Sequence, residues 1–158
     1  MSDFEIQGDR LIKYHGEAEA VIVPNGVRVI AEYALAYGYY TKKIVLPPSV
    51  RVLERCSIKF NNLLRSVELN RGLLVIGDEA LASNCNLVRV DIPDTVTEIG
   101  ACAFEGDKKL NEIYVPDSVM KIGARAFSIC DCETSLPRRF ANEISRIYDD
   151  GYGILECR

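Results

Sequence analysis

The sequence predicts an α/β solenoid, a right-handed stack of about five coils of 23 residues whose strands form a parallel ladder. Three observations carry this. Five segments begin at Val21, Ile44, Val67, Val90 and Ile113, each 23 residues after the last, with no insertion. Each opens on the same apolar alternation, and in four of the five a proline follows directly. A small residue beside a large one then recurs at one place in every unit. A period kept over five units is the mark of a repeat architecture, in which each coil buries its apolar face only against its neighbours.

The elements of a coil follow in order. Val21/Val23, Ile44/Leu46, Val67/Leu69, Val90/Ile92 and Ile113/Val115 alternate with period two, so a short strand buries one face. Pro24, Pro47, Pro93 and Pro116 end it by fixing φ and removing a donor, with Asn70 in the middle unit. Asn25-Gly26, Asp94-Thr95 and Asp117-Ser118 supply turn chemistry. Two further inward columns come next: Val27, Val50, Leu73, Val96, Val119, and Ile30, Leu53, Ile76, Ile99, Ile122. Gly77, Gly100 and Gly123 call for an unusual backbone angle or a close approach. The small column is Ala34, Ser57, Ala80, Ala103, Ala126, and the large one Leu35, Ile58, Leu81, Phe104, Phe127. The segment typified by GDEALASN predicts one short helical or 3₁₀ turn. Leu64, Leu87 and Leu110 lead into the next strand, a column that Thr41 and Glu133 break at the two ends.

Residues 1–158 are expected to form a single domain: an N-terminal cap over 1–20, repeats over 21–135 and a C-terminal cap over 136–158. Phe4, Ile6, Leu11 and Ile12 around Gly8-Asp9 predict a β-hairpin that covers the first open strand edge. Tyr14 and His15 are packing or surface residues at its exit. Leu136-Pro137 begins like a sixth unit. Phe140, Ile144 and Ile147 then predict a short amphipathic helix ended by Gly151.

Composition narrows the functional classes. Apolar residues make up 48% and charged residues 27%, as in a folded globular chain. The net charge of -4 gives no general attraction for nucleic acid or anionic membrane, and apolar runs too short to span a bilayer predict no membrane insertion. Residues 1–20 lack the apolar run of a secretory signal, so a cytoplasmic location is expected, or the cell surface if a signal or a longer parent chain lies outside this sequence. In the cytoplasm Cys56, Cys85, Cys102, Cys130, Cys132 and Cys157 are expected as reduced thiols. With His15 the only histidine, neither a metal nor another cofactor is expected. No phosphate loop, dinucleotide fingerprint or nucleophile–base pair stands out, so no catalytic residue is assigned and the protein is expected not to be an enzyme.

IYVPDSVMKIGARAFSIC at 113–130 and LVRVDIPDTVTEIGACAFEG at 87–106 resemble the leucine-rich repeats of the BspA-type bacterial surface proteins. The resemblance covers about residues 4–137, including the opening hairpin and LIKYHG. It implies a leucine-rich-repeat solenoid. It further implies adhesion or protein binding at a cell surface, the roles given to family members that have one. Cys130 falls in the family's cysteine column, with Gly38, Asn61, Asn84 and Asp107 at that place in the other units, and reads as a packed turn residue.

The outward positions of the strand ladder are the expected binding face. Lys43, Val45, Glu68, Arg89, Asp91, Glu112 and Tyr114 are the candidate residues, with Tyr114 the aromatic anchor. The competing reading is a solvated face of paired charges, with Arg89 beside Glu68 and Glu112. Arg28, Arg51, Leu74, Thr97 and Met120 form a second surface, and Tyr33, Tyr37, Tyr39 and Tyr40 a third. The expected partner is another protein. Self-association, as a structural repeat unit, is the alternative.

Overall fold

The structure, a computed structural model, describes residues 2–130, 132–148 and 154–157. The chain opens on an antiparallel hairpin of β1 (Phe4–Gln7) and β2 (Arg10–Tyr14), turned at Gly8 with φ 62°. Leu11 is its fully buried residue, and the Phe4 and Tyr14 rings pack 4.9 Å apart. Each coil then contributes two strands. The first set is β3 (Ala20–Ile22), β5 (Lys43–Val45), β7 (Ser66–Glu68), β9 (Arg89–Val90) and β11 (Glu112–Tyr114). The second is β4 (Val29–Ile30), β6 (Val52–Leu53), β8 (Val75–Ile76), β10 (Glu98–Ile99) and β12 (Lys121–Ile122). In the second set every strand pairs in parallel with the equivalent strand of the next coil, and β2 heads the row. The hairpin thus covers the open edge at the N-terminal end, as expected.

The third arm of the coil departs from expectation. No helical turn forms there. Each coil instead carries two left-handed residues four apart: Tyr33 and Tyr37, Cys56 and Phe60, Glu79 and Ser83, Cys102 and Gly106, Arg125 and Ile129. A left-handed L-residue costs about 1–2 kcal/mol, and only Gly106 avoids that cost. The compensation is hydrogen bonding along the stack. Alternate N–H groups point at the next coil: Glu79 to the Ala101 carbonyl (2.8 Å), Leu81 to Ala103 (2.9 Å) and Ser83 to Glu105 (2.8 Å). The intervening N–H groups close turns within the coil, as Ala80 does to Gly77 and Ala82 to Glu79. A helix would direct all these donors to its own carbonyls and leave the neighbouring coil without them.

The inward columns behave as read from the sequence. Ala34, Ser57, Ala80, Ala103 and Ala126 are wholly buried beside the larger column, where Phe104 and Phe127 stack 5.5 Å apart. The glycine column serves close approach and not an unusual angle: a Cβ at Gly123 would lie 2.1 Å from the Ala101 nitrogen.

At the C-terminal end β13 (Glu133–Leu136) continues the ladder beside β11, so a sixth strand crosses the expected cap boundary. The expected helix is a 3₁₀ segment over Arg138–Glu143 followed by one α-turn, α1 (Ile144–Ile147). Phe140 and Ile147 are its buried anchors. The chain then returns as β14 (Ile154–Cys157), parallel to β13, a strand the sequence reading did not include. Gly151, expected to end the helix, lies outside the described residues.

The column of Asn61, Asn84, Asp107 and Cys130 is a buried ladder. Asn61 N–H donates to Asn84 Oδ1 and Asn84 N–H to Asp107 Oδ1, both at 2.8 Å. The Asn61 amide nitrogen donates to the Ile58 and Leu35 carbonyls at 2.8 and 3.1 Å, and that of Asn84 to Leu81. Asp107 has an oxygen where these residues have an NH₂. Its Oδ2 is buried without a hydrogen-bond partner, and the side chain is 0% exposed. Burial pushes the Asp107 carboxyl well above its usual range, against the lowering effect of the Asn84 N–H. A folded-state pKa above the unfolded one means the native state holds the proton more tightly. That contribution is complete below the unfolded carboxylate range and is lost as pH rises towards the raised value. Asp107→Asn restores two donors. Urea unfolding should show the variant more stable than wild type by roughly 1–3 kcal/mol at pH 7, the cost of one buried unsatisfied polar group. The gap should shrink towards pH 4; a gap independent of pH would refute the raised Asp107 pKa.

Candidate functional site

The outward side chains of the first strand set share one face by register. Lys43 aligns with Ser66 and Ser66 with Arg89, while Val45 aligns with Glu68. Beyond the next step the ladder is interrupted. β9 ends the sheet β3-β5-β7-β9, and β11 begins the sheet β11-β13-β14. At the mouth of the gap the bond from Asn111 N–H to the Val88 carbonyl is stretched to 3.4 Å.

A cleft of about 460 Å³ opens at this break. Its walls include Arg89 and Asp91 on one side and Asn111, Glu112 and Tyr114 on the other, over Val88, Val90 and Ile92. Four of the seven residues expected from the sequence therefore meet here. Lys43, Val45 and Glu68 lie further along the ladder, where Lys43 and Glu68 form their own ion pair. Arg89 and Glu112 do line the same cleft, but the ion pair that Arg89 makes is with neither Glu68 nor Glu112. Arg89 bonds Asp91, just past the end of β9, at 3.0 Å, with both side chains 77% exposed. Residues two apart on a strand project to the same side, and this brings the guanidinium and carboxylate together.

Charge and shape decide what such a cleft can do. Glu112 is aligned directly with Glu133 on β13, and both are exposed. Like charges directly opposite destabilise a strand pair, and a cation placed between them relieves that. Tyr114, 51% exposed, provides an aromatic wall. The cleft thus offers ring surface, an acidic rim and a mixed ion pair.

Two other features bear on chemistry. Cys56, Cys85, Cys102 and Cys130 are free thiols, and the Cys132 sulfur lies 3.4 Å from the Thr134 hydroxyl. The Cys102 thiol is pushed up to about 11, first by burial and then by Glu105, so at neutral pH it is protonated and a poor nucleophile. Among the described residues no group of three or more His, Cys, Asp and Glu side chains is placed to hold a metal ion, and no helix is long and apolar enough to cross a membrane. A separate aromatic surface gathers around the tyrosines of the first coil. There Phe60 and Asn62 join Tyr37 and Tyr39, two residues not expected from the sequence. Phe60 was legible as the 23-residue echo of Tyr37.

Stacked parallel strands, turn arms and an asparagine ladder define the class as a leucine-rich-repeat solenoid. The BspA type leucine rich repeat region matches residues 8–134 in six copies, and the chain belongs to that family. Among solved structures it is similar to a leucine-rich repeat protein of T. pallidum, with 26% identity and a TM-score of 0.77 over 84% of this chain and 67% of that one. It is similar also to a leucine-rich cell surface protein of Faecalibacterium prausnitzii, at 30% identity and a TM-score of 0.77 over 90% of this chain. A leucine-rich repeat protein of Bacteroides ovatus shares the fold at 24% identity and a TM-score of 0.66 over 91% of this chain. The chain spans 38% of the F. prausnitzii structure and 43% of the B. ovatus one. A search of curated proteins found no match.

The exposure of the Arg89–Asp91 pair makes it dispensable for folding. Arg89→Ala and Asp91→Ala should each change unfolding free energy by less than about 0.5 kcal/mol, measured by urea titration at two salt concentrations. A loss several times larger would mean the pair closes the break in the ladder.

Proposed function

We propose that this protein is a non-enzymatic protein-binding module that uses the cleft at the interruption of its strand ladder. The observation that carries the reading is the meeting of Arg89, Asp91, Glu112 and Tyr114 around one concave opening on an otherwise regular face. Tyr114 supplies a stiff aromatic anchor at small entropic cost, as interface hot spots do. The aligned Glu112 and Glu133 favour a partner that brings a lysine or arginine to the rim. Interface use by leucine-rich solenoids, and the cell-surface description of the F. prausnitzii relative, support binding as the activity. Surface adhesion is that same activity with an extracellular partner, and fractionation of the source cells separates it from the cytoplasmic location expected from residues 1–20.

The double variant Tyr114→Ala/Asp91→Ala, immobilised beside wild type, should lose the proteins that wild type retains from the source organism's extract. Its melting temperature should stay within a few degrees of wild type. Met120→Ala, on another face, should retain those proteins. If the double variant holds the same set as wild type, the cleft is not the site. Light scattering addresses self-association: a mass that rises with concentration, and returns to monomer in the double variant, would make the partner a second copy.

A further inference from the structure

We propose that the cleft at the break in the strand ladder takes an arginine residue of an extended peptide, with the guanidinium against the Tyr114 ring and between the Glu112 and Glu133 carboxylates. It rests on the reading of that cleft as a binding site and names what the site recognises. Charge on this face is matched up to the break and unmatched beyond it. Glu68 is held by Lys43, and Asp91 by Arg89 at 3.0 Å. Glu112 and Glu133 stand directly opposite each other on β11 and β13, both exposed, and among the described residues neither side chain has an ion pair or a hydrogen bond. Carboxylates aligned in this way repel, and a cation that reaches both relieves the pair.

A backbone donor in the cleft adds a second requirement. The N–H of Val23 donates to the Val45 carbonyl at 3.0 Å, that of Leu46 to Glu68 at 3.1 Å and that of Val115 to Ser135 at 3.0 Å. Leu69 and Ile92 hold the same place in their coils, and among the described residues neither N–H finds an acceptor. Ile92 is the one of the two that lines the cleft, and it is 8% exposed. By the register of its equivalents its N–H points across the break towards β11. A buried donor without a partner costs free energy, and a carbonyl brought by a ligand removes that cost. The site therefore asks for a cation and a carbonyl in one molecule.

Arginine within a peptide carries both. Its guanidinium is planar, stacks flat on an aromatic face and still turns its donors towards carboxylates. Tyr114, two residues along β11 from Glu112, offers such a face on the same side of the strand. The peptide carbonyl beside the side chain is the acceptor for the Ile92 N–H. A cleft of about 460 Å³ holds the side chain together with its flanking backbone. Lysine brings a compact, strongly hydrated charge that stacks less well and bridges two carboxylates less readily. Calcium takes roughly six to eight oxygen ligands. Among the described residues no group of three or more acidic, histidine or cysteine side chains is placed to hold a metal ion. Arg89 does not repel the ligand, because Asp91 neutralises it.

The test is a backbone-amide NMR titration of the full chain with acetyl-Gly-Arg-Gly-amide. Saturable shifts are expected at Ile92, Glu112, Tyr114 and Glu133. The lysine peptide should bind about fivefold more weakly, the worth of one well-fitted exposed ion pair. The citrulline peptide, which keeps the shape without the charge, should not saturate. Glu112→Gln combined with Glu133→Gln should weaken arginine binding about tenfold, with a melting temperature equal to or above that of wild type. Glu68→Gln, which removes the same charge outside the cleft, should bind as wild type does. The proposal is overturned if the arginine peptide does not saturate, if citrulline binds as arginine does, if the double glutamine variant binds equally, or if the shifts gather at another acidic surface. Calcium that shifts the same amides where the arginine peptide does not would overturn it in favour of a metal. Capture lost in Tyr114→Ala/Asp91→Ala with no arginine binding would also overturn it, and would leave the cleft standing as the site.

Discussion

Each coil of this protein is tied to the next by backbone hydrogen bonds running along the stack, on three sides except where the first strand ladder parts between the fourth and fifth coils, and the 23-residue period is what lets them form. Two sides are short parallel strands. The third is the turn arm, where paired left-handed residues aim alternate N–H groups out of the coil. An insertion of one residue would put each donor opposite the wrong atom. Buried side chains fill the interior, but the backbone sets the distance at which they meet. Gly100 and Gly123 show how close that distance is, since neither has room for a methyl group.

The parts of this architecture that were legible from sequence are those written in side-chain type. Apolar alternation located the strands, proline their ends, and glycine the close approaches. The turn arm differs from expectation because its pattern, EALAS and its equivalents, has the apolar spacing of a helical turn, while the backbone angles that exclude a helix fall on Tyr, Cys, Phe, Glu, Ser, Arg and Ile. None of these residue types announces φ > 0, and glycine takes that role only at Gly106. The return strand Ile154–Cys157 was missed for a different reason. It follows the cap and lies outside the repeat, so no column of equivalents predicted it.

Legibility of the candidate site divides in the same way. Which residues face outward follows from strand alternation, and Arg89, Asp91, Glu112 and Tyr114 line one cleft. Which of them meet in a concavity depends on the interruption between β9 and β11, and no residue type marks it. The ion pairing changed too. Arg89 reaches to Asp91, two residues on and just past the end of its strand, and an exposed pair of this kind contributes little to stability. The aromatic surface was visible as tyrosines, while Phe60 and Asn62, which join it from the second coil, were not among the residues expected there.

The interruption of the ladder also bears on how the rod behaves as a linear system. In a repeat protein, stability is close to a sum of coil terms and nearest-neighbour coupling terms. Where coupling is uniform, the array melts as one body. Between the fourth and fifth coils the coupling comes from the second strand row and the turn arm, while the ladder on the remaining side is parted. That junction is a graded link in the chain of couplings. It sets a natural boundary between two cooperative units, an N-terminal one anchored by the hairpin and a C-terminal one anchored by Phe140 and Ile147. A partner seated across the boundary would do more than occupy a surface. It would join the two units and make the array unfold as a single piece.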